Sequence, residues 1–235
     1  MRSIALAACV PLSLAAHAAG GQGATATCTA SLANRLASTG DATQLVTVVT
    51  EHPSSTQGAL RLWRKTRGCW EPVAGPWRAW VGRRGVSTNK HEGDRTTPAG
   101  AFPFLPTMYG IQPGPGVRYR YHRIVCGDWW VEDPASRWYN RFRHVACGST
   151  PPFRTTSEDL SRSPTAYRHL AVIAYNRDPV VKGRGSGIFL HASTGRPTLG
   201  CVSLPLPRLL KTLRWLEPPA KPLIVIGTRA EIARF

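Results

Sequence analysis

From residue 44 onward the chain alternates apolar and polar positions at the short period of extended structure. Leu45, Val46, Val48 and Val49 predict a strand over 44–50, and Leu60, Leu62 and Arg64 at alternate positions predict another over 59–65. Two more runs, 69–73 and 77–81, are punctuated by Pro72, Gly75, Pro76 and Gly82. A polar loop over 89–100 leads to Ala101-Phe102-Pro103-Phe104, and buried strands are predicted over 169–176 and 187–191. Leu206, Leu209, Leu210, Leu213 and Leu216 lie at helical spacing, with Pro207 in the first turn where its missing N–H costs little, so 205–216 is the one clear helix. Residues 222–227 close as a last strand. Short strands with Gly/Pro turns argue for a sandwich or barrel. The fold class is therefore mainly β, a mixed β-sandwich or barrel with one helix in the C-terminal half. The stretch 106–164, dense in aromatics, Pro and Gly and weak in periodicity, reads as a long functional loop excursion.

The N-terminus reads as an address. Arg2 supplies a minimal positive region, 4–16 is apolar but broken by Pro11, and Ala16-His17-Ala18 is a small-x-small cleavage site, with Ala24-Thr25-Ala26 as a second candidate. A signal peptide over 1–18 and export to periplasm, cell wall or the outside are expected. Leu6-Ala7-Ala8-Cys9 is similar to a lipoprotein box, but the apolar stretch before it is too short. No later segment approaches the ~20 apolar residues of a membrane span. Residues 19–41, rich in Ala, Gly, Thr and Ser, read as a linker with a short helix at 31–36; a domain over 42–228 and a tail over 229–235 follow.

Lys and Arg outnumber Asp and Glu 30 to 13, for a formal charge of +17. Such a field favours anionic partners. The arginines are scattered from Arg61 to Arg234 rather than gathered with aromatics into a recognition element, which argues against nucleic acid and leaves an anionic polymer such as a bacterial wall. A monomer is expected.

Beyond residue 18 the cysteines are Cys28, Cys69, Cys126, Cys147 and Cys201, an odd number. In an oxidising compartment this reads as two disulfides and one free thiol, with three pairings open for any four structural cysteines. Cys126–Cys147 is preferred because it closes a loop of about 20 residues, worth on the order of 3 kcal/mol in the chain-entropy picture; Cys28–Cys69 follows by default. No pair has the spacing of a zinc site, so neither a metal nor another cofactor is expected.

The free thiol is then the centre of interest. Gly187-Ile188-Phe189-Leu190-His191 ends an apolar strand on an imidazole, and Thr198-Leu199-Gly200-Cys201-Val202 follows. A loop turning at Gly195 and Pro197 would bring sulfur back to imidazole, a hairpin-like excursion. The thiolate is the reactive form, and a histidine is the commonest means of holding it. Gly200 permits a positive φ that turns nearby amides toward a substrate oxyanion. Taken singly, Cys201 reads as a buried core cysteine and His191 as a satisfied strand-end histidine; together they read as a nucleophile and its base. Asp128, Glu132 and Asp133 are weaker acid/base candidates, equally explained by a solvated loop. His91, His122 and His144 have no partner at ligand spacing. Gly183-Arg184-Gly185-Ser186-Gly187 lacks the centred serine of a nucleophile elbow.

These residues match a known pattern. The chain resembles the L,D-transpeptidase (YkuD-like) catalytic-domain family, whose signature is a strand-end histidine followed by Ser/Thr-x-Gly-Cys, here His191 and Thr198-Leu199-Gly200-Cys201. A second family feature, Thr-Pro-x-Gly-x-Phe, stands as Thr97-Pro98-Ala99-Gly100-Ala101-Phe102, preceded by Glu92-Gly93-Asp94. Glu132-Asp133-Pro134 and Tyr139-Asn140 look like a subgroup, and the similarity covers roughly 42–228. The resemblance implies Cys201 as nucleophile, His191 as base oriented by a backbone carbonyl, and the amides of Leu199, Gly200 and Cys201 as oxyanion hole. It implies peptidoglycan stem peptides as substrate: a thioester forms with loss of the terminal D-alanine and passes to an amine acceptor. Thr198, Ser203, Trp130, Tyr139 and Asn140 are the expected substrate-binding residues, with Trp129 and Trp138 as further cleft aromatics. Many members carry arginine two places after the cysteine, where this chain has Ser203. A carboxypeptidase or endopeptidase would share the catalytic residues, and an inactive wall-binding module is the non-enzymatic alternative.

Overall fold

The computed structural model describes residues 27–154 and 156–235; the expected signal peptide lies outside them. The strands are β1 (Gln44–Thr50), β2 (Gln57–Thr66), β3 (Cys69–Trp80), β4 (Val86–Ser87), β5 (Thr97–Pro98), β6 (Gly100–Gly110), β7 (Arg120–Arg123), β8 (Asp128–Val131), β9 (Arg141–His144), β10 (Glu158–Asp159), β11 (Leu170–Ile173), β12 (Phe189–Ala192), β13 (Val202–Leu204) and β14 (Leu223–Thr228), with helix α1 (Leu206–Trp215) between the last two. One sheet runs β11-β12-β13-β3-β2-β1-β14-β6-β7, and β11 also pairs with β6. That extra pairing closes eight strands into a barrel and removes the free edges an open sheet would expose.

Alternation explains the interior. Val46 and Val48 of β1 meet Leu60 and Leu62 of β2, Leu190 of β12, Val202 and Leu204 of β13, and Ile224 and Ile226 of β14 in one buried cluster. Leu209, Leu213 and Leu216 of α1 join it, on the helical stripe expected from their spacing. The other face of β1 is covered as well. Leu45, Trp63 and Val225 pack with Ala33, Ala42 and Ile232, so the described parts of the expected linker and tail are walls of the domain. Cys28–Cys69 fastens this N-terminal cover to the start of β3.

Two elements differ from the sequence reading. β3 is continuous, although Gly75 and Pro76 had suggested a break. Its register against β2 shifts around Leu62, and Gly75 takes a φ of +91° where a Cβ would lie 2.4 Å from the Leu60 carbonyl oxygen. A glycine bulge carries the strand through. The stretch 106–164 is a long excursion as expected, but it carries short strands of its own. β6 extends through Gly110, β7 runs parallel to it, and β10-β8-β9 form a small antiparallel sheet. The aromatics that obscured its periodicity are the packing: Tyr109, Trp130, Tyr167 and Phe189 form a second cluster between this sheet and the barrel, with Cys201 against it. Cys126–Cys147 closes the base of the β8–β9 hairpin.

Candidate active site

β12 and β13 pair in parallel, with Leu190 opposite Val202 and His191 opposite Ser203. The link over 193–201 is therefore a crossover and not the hairpin-like turn expected. This register sets Cys201 level with Phe189, whose N–H lies 3.4 Å from the sulfur, and the thiol in turn donates to the Gly187 carbonyl at 3.3 Å. Residues 189 and 191 share a face of their strand. The Tyr167 ring packs edge-on to both Phe189 and His191, its centroid 5.7 Å from each. Cys201, His191 and Tyr167 line one cleft of about 760 Å³. Another groove, about 570 Å³ between residues 38–42 and 218–223, holds neither Cys201 nor His191.

The thiol is anchored by both sequence motifs. Thr198 Oγ1 donates to the Cys201 carbonyl at 2.6 Å and Thr97 Oγ1 does so at 3.2 Å, so the Thr-Pro segment reaches the cysteine across 104 positions of sequence. Gly200 has φ +151°, and a Cβ there would sit 3.2 Å from the Thr96 carbonyl oxygen and 3.3 Å from Ile188 Cδ1. Its amide donates to Thr198 Oγ1 at 3.1 Å. Of the three amides expected to face an oxyanion, that one is already committed.

His191 is 7% exposed, and its Nδ1 lies 2.8 Å from the Ala192 carbonyl. A carbonyl only accepts, so Nδ1 carries the proton and Nε2 is the free base. Burial drives the imidazole down to about 4, partly opposed by that carbonyl. Burial drives the Cys201 thiol up to about 12; the Phe189 amide pulls the other way, Glu158 and Glu132 push further up, and Lys90 draws it down. The resting pair is thus neutral thiol and neutral imidazole, whereas the sequence had suggested a standing thiolate.

Comparison with known proteins bears on this geometry. The family model of the L,D-transpeptidase catalytic domain (YkuD) matches residues 54–232. The chain belongs to that family. No curated protein and no solved structure matches it significantly. As in the family pattern named above, the L,D-transpeptidase histidine here is oriented by a main-chain carbonyl.

Several expected binding residues sit behind the L,D-transpeptidase cleft and not in it. Ser203 is 1% exposed on β13, with its hydroxyl unpartnered. Asn140 is buried: its Oδ1 accepts from Trp130 Nε1 at 2.9 Å and from the Gly187 amide at 3.2 Å, and its Nδ2 donates to the carbonyls of Tyr175 and Asn176. The Tyr139 hydroxyl donates to Glu92 and accepts from the Gly185 amide. Trp130 is 2% exposed in the aromatic cluster. Tyr139 and Asn140 hold the segment 185–187, whose Gly187 carbonyl receives the thiol, and Trp130 in turn holds Asn140. Thr198 does border the cleft, as do Leu199 and Gly200. Trp129 lines a neighbouring depression beside Glu158 and Arg162. Trp138 lies against Arg137 and Arg143.

The cleft also contains charged groups the sequence reading passed over or left open. Glu132 and Glu158 line it, and burial holds both carboxyls above the usual range, Glu132 well above and further raised by Glu158 and Glu92. Lys90 lines the same cleft, with Arg83, Arg95 and Arg196. Asp128 is neither solvated nor part of the cleft: it is fully buried, 2.7 Å from both His122 Nε2 and His144 Nδ1. Those two histidines do have a partner, one that spacing could not reveal. Asp133 is buried and takes the amides of Ala135 and Arg154. Among the described residues no cluster of His, Cys, Asp or Glu suits a metal ion.

Proposed function

We propose that this chain is a cysteine acyltransferase of peptidoglycan stem peptides. The observation that carries the reading is that Cys201 and His191 line one cleft, with His191 Nδ1 set against the Ala192 carbonyl so that Nε2 is left to act as base. Nε2 takes the thiol proton as sulfur attacks the carbonyl ahead of the terminal D-alanine. General-base transfer suits a buried pair, because neither charge stands alone in the resting state. The amides of Leu199 and Cys201 stabilise the oxyanion. D-Alanine leaves with the proton from His191, and a thioester remains on Cys201. The side-chain amine of a neighbouring stem then attacks it, giving a 3→3 cross-link and regenerating the thiol.

Two disulfides, a wall substrate and a charge of +17 against an anionic polymer agree with work outside the cytoplasm. The test is incubation with purified disaccharide-tetrapeptides and mass analysis of the products. Cross-linked dimers that disappear in Cys201→Ala support the reading. Trimmed monomers alone would make the protein a hydrolase, and no product from folded wild type would leave a wall-binding module.

A further inference from the structure

Lys90 is the deeply buried cation of the cleft, its side chain 3% exposed. Its Nζ pairs with Asp94 Oδ1 at 2.9 Å, and Asp94 is itself fixed by the amides of His91 and Thr96 and by the Thr96 hydroxyl. The stem passes close over Gly185, where an added Cβ would lie 2.8 Å from Lys90 Cε. The head reaches the nucleophile's loop: Nζ lies 3.4 Å from the point a Cβ on Gly200 would occupy. An ammonium has three N–H donors. Asp94 takes one, and among the described residues no second partner meets the others.

The surroundings need such a charge. Glu132 and Glu158 share the cleft with Cys201, and when ionised they oppose a thiolate there. The Gly200 amide is spent on Thr198, and Ser203 points its hydroxyl into the protein interior. We propose that the Lys90 ammonium is the fixed cation of this active site, stabilising the Cys201 sulfur as it gives up its proton and then the oxyanion of the tetrahedral intermediate. The thiolate half of this is independent of the acyltransfer reading; the oxyanion half rests on it. In this role Asp94 orients Lys90 and partly offsets it, so the two members of the pair act on the sulfur with opposite sign.

That opposition is the test. Alkylation of Cys201 by iodoacetamide needs no peptide substrate, so its outcome is independent of whether stems are turned over. The rate is measured at about pH 8.5, the ordinary range of thiol ionisation, with thermal unfolding followed in parallel. Lys90→Met is expected to slow alkylation about tenfold or more, the effect of removing a unit charge beside the nucleophile's loop at a partly screened site. Lys90→Arg retains most of the rate, and Asp94→Asn, which keeps an oxygen toward Nζ but removes the opposing charge, raises it. With stem peptides as donor, Lys90→Met lowers kcat with little change in KM. Wild-type alkylation rates in Lys90→Met would overturn the proposal. So would an unchanged or slower rate in Asp94→Asn, which is what a merely structural ion pair predicts. Should Lys90→Met fail to fold, the sign of the Asp94→Asn change decides by itself.

Discussion

Burial acts on Cys201 and His191 in opposite directions, raising the thiol to about 12 and lowering the imidazole to about 4, and this leads to a distinctive pH behaviour. In the proposed reaction His191 must be neutral to take the proton and Cys201 must hold one to give, so both conditions are met throughout the interval between those values. Acylation by an electrophilic β-lactam of the carbapenem class, read as adduct mass against time, should be flat between about pH 6 and 9, the span in which unperturbed His and Cys titrate. A bell with limbs inside that span would indicate a preformed ion pair. Cys201→Ala should abolish the adduct while leaving the fold intact. The same shifts carry a stability consequence. The folded imidazole's pKa lies below its unfolded value, so the unfolded chain binds the proton first, and stability falls as pH drops from about 6.5 toward 4. The loss approaches about 3 kcal/mol at full protonation. His191→Gln should flatten that acid limb in chemical denaturation.

Individual elements meet at a few buried polar residues. Asn140 joins β8, through Trp130, to Gly187 and to the main chain at Tyr175 and Asn176. Replacing it by Ala leaves buried donors and acceptors unpaired, at about 1–3 kcal/mol for each group that water cannot reach. Asn140→Ala should lower the melting temperature and also slow Cys201 alkylation, because Gly187 would no longer be held under the sulfur. An unchanged alkylation rate would show that the thiol's position does not depend on this network. Cys126–Cys147 acts on the neighbouring hairpin. Replacing both cysteines by Ser should cost about 3 kcal/mol, or roughly 6–12 °C in a domain of this size. The barrel strands lie outside that loop, so the far-ultraviolet spectrum of the folded variant should be unchanged.

The molecule as a whole is a closed barrel with a formal charge of +17, and the proposed attraction of that charge to an anionic wall would be long-ranged and screenable. Cys201→Ala should co-sediment with isolated cell-wall material at low ionic strength and be released by about 1 M salt, where the screening length is near 3 Å. Retention at high salt would mean that recognition rests on close contacts instead.

Legibility differs by the range of the interaction. The strand of alternating valines at β1, the leucine stripe of α1 and the histidine–glycine–cysteine order depend on side chains near in sequence, and a chain met cold discloses them. Aromatic, Pro-rich 106–164 did not disclose its strands, because those beyond Gly110 run for four residues or fewer, too short to display a two-residue period. Tyr139, Asn140 and Trp130 could be recognised as special but not assigned a place, since a motif does not say which side of a cleft its residues support. Thr97 touching Cys201, Asp128 between two histidines and Lys90 beside Gly200 depend on parallel register and barrel closure, contacts that no local pattern encodes. Sequence alone therefore determined which candidate groups this protein carries, because the histidine, the glycine and the cysteine form one local motif. Tertiary structure decided the protonation state of that chemistry and the charges around it, because burial and distance between remote segments exist only once the barrel has closed.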